Sequence, residues 1–159
     1  EASQFALILL MFIGGSPGST AGGIKTVTFA VVIMVAWASF HKRRDVELFG
    51  RSIRLLVVGR AVTVALLFVF WLFFAASLMV ITEHNNPFTF MQVFFEASSA
   101  LGTVGLTTGI TPALTTAGKW VIIITMLVGR LGPLTLLAGL AYKVKPGGYD
   151  YPSEPVVVG

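Results

Sequence analysis

The sequence predicts an all-α integral membrane protein, and three observations carry that prediction. Of 159 residues, 55% are apolar and 11% are charged, whereas a soluble domain carries about 25% charged residues. Mean hydropathy is +0.87. Long apolar stretches recur between short polar or glycine-rich breaks, as expected of helices that satisfy their backbone within lipid. The same arithmetic argues against a soluble globular enzyme. The chain has no Cys, which excludes disulfides, thiolate zinc sites and cysteine nucleophiles. His41 and His84 lie far apart in polar stretches, so no multi-histidine metal site is expected within this chain. The net charge is +4, and its placement matters more than its sign.

Four hydrophobic segments follow in order. The first runs from Gln4 to Phe40, too long for one ordinary span of about 20 residues. A glycine-rich stretch interrupts it. The second, Leu55 to Ile81, is apolar all round and uninterrupted, as a lipid-facing helix should be. The third, Phe88 to Leu101, is too short to span and reads as a re-entrant or interfacial helix. The fourth, Trp120 to Tyr142, has spanning length but carries Gly129-Arg130-Leu131-Gly132-Pro133 in its middle. After Tyr142 glycine and proline become dense. No long helix fits there, and an extended tail over 143–159 is expected.

Lysine and arginine in short loops set the orientation. The 42–54 loop holds Lys42, Arg43, Arg44, Arg51 and Arg54, whereas the loop Thr82-Glu83-His84-Asn85-Asn86 holds neither residue type. The first is therefore assigned to the cytoplasm and the second to the outside. Lys143 and Lys145 then fall on the cytoplasmic side with the C-terminus. Lys119 and Trp120 mark the outer interface and Trp37 an inner one. A basic run of this kind is first a topology signal; docking of a cytoplasmic partner is the second reading.

Between the third and fourth segments lies Gly102-Thr103-Val104-Gly105-Leu106-Thr107-Thr108-Gly109. Non-helical backbone at membrane depth survives only when buried in protein or lining a watery cavity. The C-terminal end of a short helix places about half a negative charge near that cavity. Carbonyls of an extended Thr103-Val104-Gly105-Leu106 stretch can replace the hydration shell of a monovalent cation. Gly105 would relieve Cβ strain, Thr103 would add a hydroxyl oxygen, and Val104 would pack outward. Neutral hard oxygens favour K⁺ or Na⁺ over Mg²⁺ or transition metals. The competing reading is an ordinary turn between two helices. Glu96, within the short helix, is either a cation-attracting charge or a buried acid holding the helix to its neighbours. It is not counted among the ligands.

The break in the first segment is Gly14-Gly15-Ser16-Pro17-Gly18-Ser19-Thr20-Ala21-Gly22-Gly23-Ile24-Lys25-Thr26. Such a stretch does not hold a regular helix, and its flanks are apolar. Gly18 and Gly23 have the spacing of a nucleotide-binding P-loop, but Ile24 intervenes before Lys25-Thr26 and no strand precedes it. The stretch reads instead as a flexible gate across a pore, with Lys25 repelling cations or anchoring the loop; the plainer alternative is a static kink. Arg130 at membrane depth needs carbonyls, a carboxylate or water. A guanidinium has five donors for the free carbonyls of a broken helix, so Arg130 is paired with the 14–26 loop as a latch. The alternative is an arginine satisfied within its own bent helix.

Gly14-Gly15-Ser16-Pro17-Gly18-Ser19-Thr20-Ala21-Gly22-Gly23-Ile24-Lys25-Thr26, then Ala100-Leu101-Gly102-Thr103-Val104-Gly105-Leu106-Thr107-Thr108-Gly109-Ile110-Thr111-Pro112, then Val128-Gly129-Arg130-Leu131-Gly132-Pro133 occur in this order. Together they resemble the Trk/Ktr/HKT superfamily of potassium transporters, most closely its KtrB-type uptake subunits, over nearly the whole chain. The resemblance implies four helix–pore-loop–helix repeats around one pore, as in potassium channels. This chain would be the C-terminal portion: residues 1–41 the second helix of repeat three, 42–54 the cytoplasmic basic loop, and 55–142 repeat four. Within repeat four fall a pore helix at 88–101, a filter loop at 102–109 and a helix at 120–142. By resemblance Gly105 is the filter glycine, 14–26 the intramembrane loop below the filter, and Arg130 the arginine near that loop. A channel filter reads Thr-Val-Gly-Tyr-Gly, whereas Leu106-Thr107 follow Gly105 here, which implies fewer carbonyl rings and looser discrimination.

The function expected is K⁺ translocation in the cell membrane, with no catalysis and no resident cofactor. Family likeness further implies a homodimer, Na⁺ as a promoter of uptake, and a cytoplasmic ring of RCK domains that carries the nucleotide. Repeats one to three are expected as the rest of the same transporter, the lipid bilayer as surroundings, and no nucleic acid as a partner. The alternative is a structural or accessory membrane module without transport activity of its own.

Overall fold

A computed structural model describes residues 2–16, 21–41, 47–48, 51–53 and 55–132. Its first helix, α1 (Ala2–Phe12), is apolar from Phe5 onward and buries only Ile8 and Met11. The helix stops at Ile13, where glycine begins. The chain leaves, returns, and closes on itself: Ile13 bridges Ile24 in parallel. The Gly14 N–H donates to the Ile24 carbonyl at 2.8 Å, and the Thr26 N–H to that of Gly15 at 3.3 Å. Because the pairing is parallel, the chain resumes the heading it had left. Gly14 makes this closure possible, since a Cβ there would overlap the Gly22 carbonyl and lie 3.0 Å from that of Ile24.

Helix α2 (Thr26–Phe40) follows. Its many β-branched residues are mediocre helix formers in water, and apolar surroundings give their backbone no competing partner. Two two-residue strands, β1 (Glu47–Leu48) and β2 (Arg51–Ser52), then pair antiparallel. This small hairpin lies in the stretch expected as a plain basic loop.

Helix α3 (Leu55–Thr82) has 28 residues and is about 42 Å long at 1.5 Å per residue. Among the described residues, it is the one helix long and apolar enough by itself to cross a bilayer. Ala61, Phe68, Leu72, Ala75, Ala76 and Met79 are buried, whereas Phe70, Phe73 and Phe74 are exposed. The buried positions recur at helical spacing, one stripe facing the core.

Helix α4 (Phe90–Gly102) begins with a capping box. Thr89 Oγ1 accepts from the Gln92 N–H, and the Gln92 side chain accepts from the Thr89 N–H. Thirteen residues make only about 20 Å, short of a hydrocarbon core of about 30 Å. From Phe95 to Gly102 every residue is buried, which a membrane-surface helix would not show. α4 is the central post, packed against α1, α3 and a fifth helix, α5 (Thr116–Leu131); α3 in turn packs on α2 and α5. The main core cluster takes Leu72 and Met79 from α3, Ala97 and Leu101 from α4, and Ile122 and Val128 from α5. Ile24 of the broken stretch joins the same cluster.

Helix α5 starts earlier than the apolar pattern indicates, because Thr115 caps it by accepting from the Gly118 N–H. Glu83, buried to 3% exposure, accepts from the Thr115 N–H and hydroxyl. That ties the start of α5 to the end of α3. α5 ends at Leu131, and Gly132 has a φ of 79°. The expected helix from 133 to 142, the tail 143–159 and loop residues 42–46 lie outside the described residues.

Candidate functional site

The C-terminal end of α4 departs from the predicted extended stretch. Thr103 is left-handed, with φ 52° and ψ 37°. Its N–H donates to the Ala100 carbonyl at 3.1 Å, and the Val104 N–H to that of Ser99 at 3.0 Å. This is a Schellman ending, whose left-handed residue is usually glycine. A glycine stands one position earlier, at 102, for a different reason. A Cβ on Gly102 would lie 3.1 Å from the Met11 carbonyl oxygen and 3.0 Å from the Val104 side chain. Gly102 lets α1 approach, and Thr103 takes the turn at a cost of about 1–2 kcal/mol.

A bond from across the site helps offset that cost. The Gly22 N–H donates to Thr103 Oγ1 at 2.9 Å, between residues 81 apart in sequence. One net hydrogen bond contributes about 0.5–1.5 kcal/mol, comparable to the strain. The approach requires glycine, because a Cβ on Gly22 would lie 2.5 Å from Thr103 Oγ1 and 3.0 Å from the Gly102 carbonyl. The hydroxyl expected to face a cation thus already serves as an acceptor for the 14–26 loop.

Two cavities flank that loop. The first, of about 310 Å³, is lined by Leu10 and Met11 of α1, by Gly14, Gly15, Ala21 and Gly22, and by Gly102, Thr103, Val104 and Leu106. Among the described residues, no charged side chain borders it. The second, of about 250 Å³, is lined by Ala21, Gly22, Gly23, Lys25, Arg130 and Gly132, among others. Ala21 and Gly22 line both, so here one thickness of main chain divides the two spaces. Lys25 Nζ donates to the Ala21 carbonyl at 3.1 Å, bracing the wall from the charged side. Of the sequence-predicted gate residues, Pro17, Gly18, Ser19 and Thr20 lie outside the described residues, and Ser16 is exposed.

Val104 does not pack outward as expected; it is 46% exposed and borders the first cavity. Gly105 has a φ of 84°, and no atom lies within 4 Å of where a Cβ would stand. Its glycine requirement is therefore conformational. Gly105 borders a third space, of about 390 Å³, shared with Glu96, Thr107, Thr111, Ile122 and Met126. Leu106 borders both this space and the first.

Arg130 borders the second cavity with Lys25 and the 21–23 main chain. Gly129 beside it allows a close backbone approach. A Cβ there would overlap the Leu101 carbonyl, so Gly129 seats α5 against α4.

Two acids matter more than the sequence indicates. Glu96 is 5% exposed. Its Oε1 accepts from the Thr107 hydroxyl at 2.5 Å and the Thr108 N–H at 2.8 Å. Its Oε2 accepts from the Thr111 hydroxyl at 2.9 Å. These contacts realise the buried-acid reading of Glu96. Glu83 does the same for α5. The signal for both was available only as threonines at 107, 108, 111 and 115, whose partners are fixed by tertiary folding.

The TrkH family of cation transport proteins matches residues 1–146. The chain belongs to the TrkH family. It is 41% identical over its full length to the Ktr system potassium uptake protein B of Bacillus subtilis, covering 35% of that protein. Identity to the potassium/sodium uptake protein NtpJ of Enterococcus hirae is 39%, again across the whole chain and 37% of that protein. The Ktr system potassium uptake protein B of Vibrio alginolyticus is 38% identical, with 34% of its length covered. The chain thus spans about a third of the length of these relatives. The family it belongs to is described as one of cation transport proteins.

Proposed function

We propose that this chain is the C-terminal part of a potassium-translocating membrane subunit. Thr103, Val104, Gly105 and Leu106 supply one of four filter segments, and the 14–26 loop closes the path beneath them. The observation that carries the reading is the shared wall. Ala21 and Gly22 line both a cavity bordered by Gly102, Thr103, Val104 and Leu106, with no charged side chain among its described lining residues, and one bordered by Lys25 and Arg130. A cation leaving the filter meets that wall first and fixed positive charge next. The α4 C-terminus adds about half a negative charge on the filter side, which favours a cation above the wall.

Residues 1–41 act as the second helix of repeat three and 55–142 as repeat four, oriented with 42–54 and the C-terminus in the cytoplasm. Arg130 latches the loop. The names of the relatives support K⁺ as cargo, and that of NtpJ mentions sodium as well as potassium. Assembly as a homodimer on a nucleotide-binding RCK ring, with Na⁺ promoting uptake, follows from the family resemblance.

The test is radioactive rubidium uptake by the whole transporter in cells lacking their own potassium uptake. At Gly105 a serine would sit at a φ of 84°, which costs a side chain about 1–2 kcal/mol. The strained strand should lose discrimination between rubidium and sodium by a factor on the order of ten. Unchanged uptake and unchanged discrimination in Gly105→Ser would remove the filter assignment.

A further inference from the structure

Within this chain, the 104–106 segment has little side-chain packing. Val104 and Leu106 are 46% and 45% exposed, and open space surrounds the Cβ position of Gly105. Its shape is therefore set by its two ends. The inner end is Thr103, held by the Schellman bonds and the Gly22 N–H. The outer end is Thr107 and Thr108, and their hydroxyls and the Thr108 N–H converge on one group, Glu96 Oε1. Thr111 closes the arrangement through Oε2, and the Thr107 and Thr111 hydroxyls lie 2.8 Å apart.

From this we infer that Glu96 is a positioning residue that sets the ion discrimination of the filter, an inference that rests on the filter reading above. Glu96 sits on α4 and borders the space lined by Gly105, Leu106 and Thr107, not the cavity shared with the 14–26 loop. It acts by fixing where the 104–106 carbonyls stand, not by attracting the ion. Carbonyls held apart suit a larger alkali cation. Released at the outer end, they collapse onto a smaller one, so the preference for K⁺ over Na⁺ falls.

Glu96→Gln replaces one accepting oxygen by an amide donor, so the threonine donors at that oxygen lose their acceptor. In the whole transporter it should lower the ratio of rubidium to sodium uptake at least about threefold, the scale of a lost hydrogen bond. Thr107→Val removes the 2.5 Å bond from the other side and should move the ratio in the same direction. Thr107→Ser, which keeps the hydroxyl, should restore it. A purely structural role would lower the amount of protein in the membrane without changing the ratio. If Glu96→Gln fails to reach the membrane, the Thr107 pair decides. A wild-type ratio in membrane-inserted Thr107→Val overturns the inference. If Gly105→Ser loses discrimination at the same time, the filter reading survives alone; if Gly105→Ser also keeps it, both readings fall.

Discussion

Thr103 concentrates the argument at the scale of single residues. It is the one non-glycine residue with positive φ among those described, and its hydroxyl holds the Gly22 N–H. Thr103→Val preserves shape and branching but removes the acceptor, leaving a part-buried amide without its partner. The loop should then leave its closed position about two- to tenfold more often, the range expected for one hydrogen bond. A cysteine introduced at Ala21 reads this directly, since the chain has no Cys of its own. Its labelling rate should rise by that factor in Thr103→Val and stay near wild type in Thr103→Ser. Equal rates in all three would show that the bond does not hold the loop. The left-handed turn was not legible in the sequence. A glycine at 102 points to a turn there, but the Met11 carbonyl that requires that glycine comes from a helix about ninety residues earlier. Glu96 stayed undecided for a similar reason: its donors lie 11–15 residues ahead and meet it only once α4 and the following loop are folded.

At the scale of elements, apolar run length carried far. The long run over α3, the short one over α4 and the glycine break after α1 are all visible as pattern, because lipid and core reward the same periodic apolar faces. Ends were less visible. α5 begins at Thr116 because Glu83 and Thr115 cap it, and Glu83 reads in sequence as part of a polar loop. The hairpin of β1 and β2 left no alternating pattern long enough to recognise. The broken stretch makes the strongest element-level prediction. Deleting residues 18–22 removes Ala21 and Gly22, which line both cavities, so rubidium flux without a regulatory partner should rise. Arg130→Ala should raise it less, since Lys25 still braces Ala21. Lower flux in a well-inserted deletion variant, or wild-type flux in both, would contradict the gate and the latch respectively.

At the scale of the whole molecule, the chain covers about a third of its relatives, and the proposed reading needs four filter segments, of which this chain would supply one. The exposed rows on α1 and α3, including Phe5, Leu10, Phe70 and Phe74, are then surfaces for lipid or for the other repeats. On this account the chain contributes one quarter of a cation path together with the loop that bars it. The most direct measurement is the anomalous signal of thallium, a K⁺ surrogate, in crystals of the whole transporter. A peak on the pore axis facing the main-chain oxygens of residues 103–106, above Ala21 and Gly22, is the predicted result. Ordered density for 103–106 facing lipid, with the ion bound elsewhere or not at all, would contradict it.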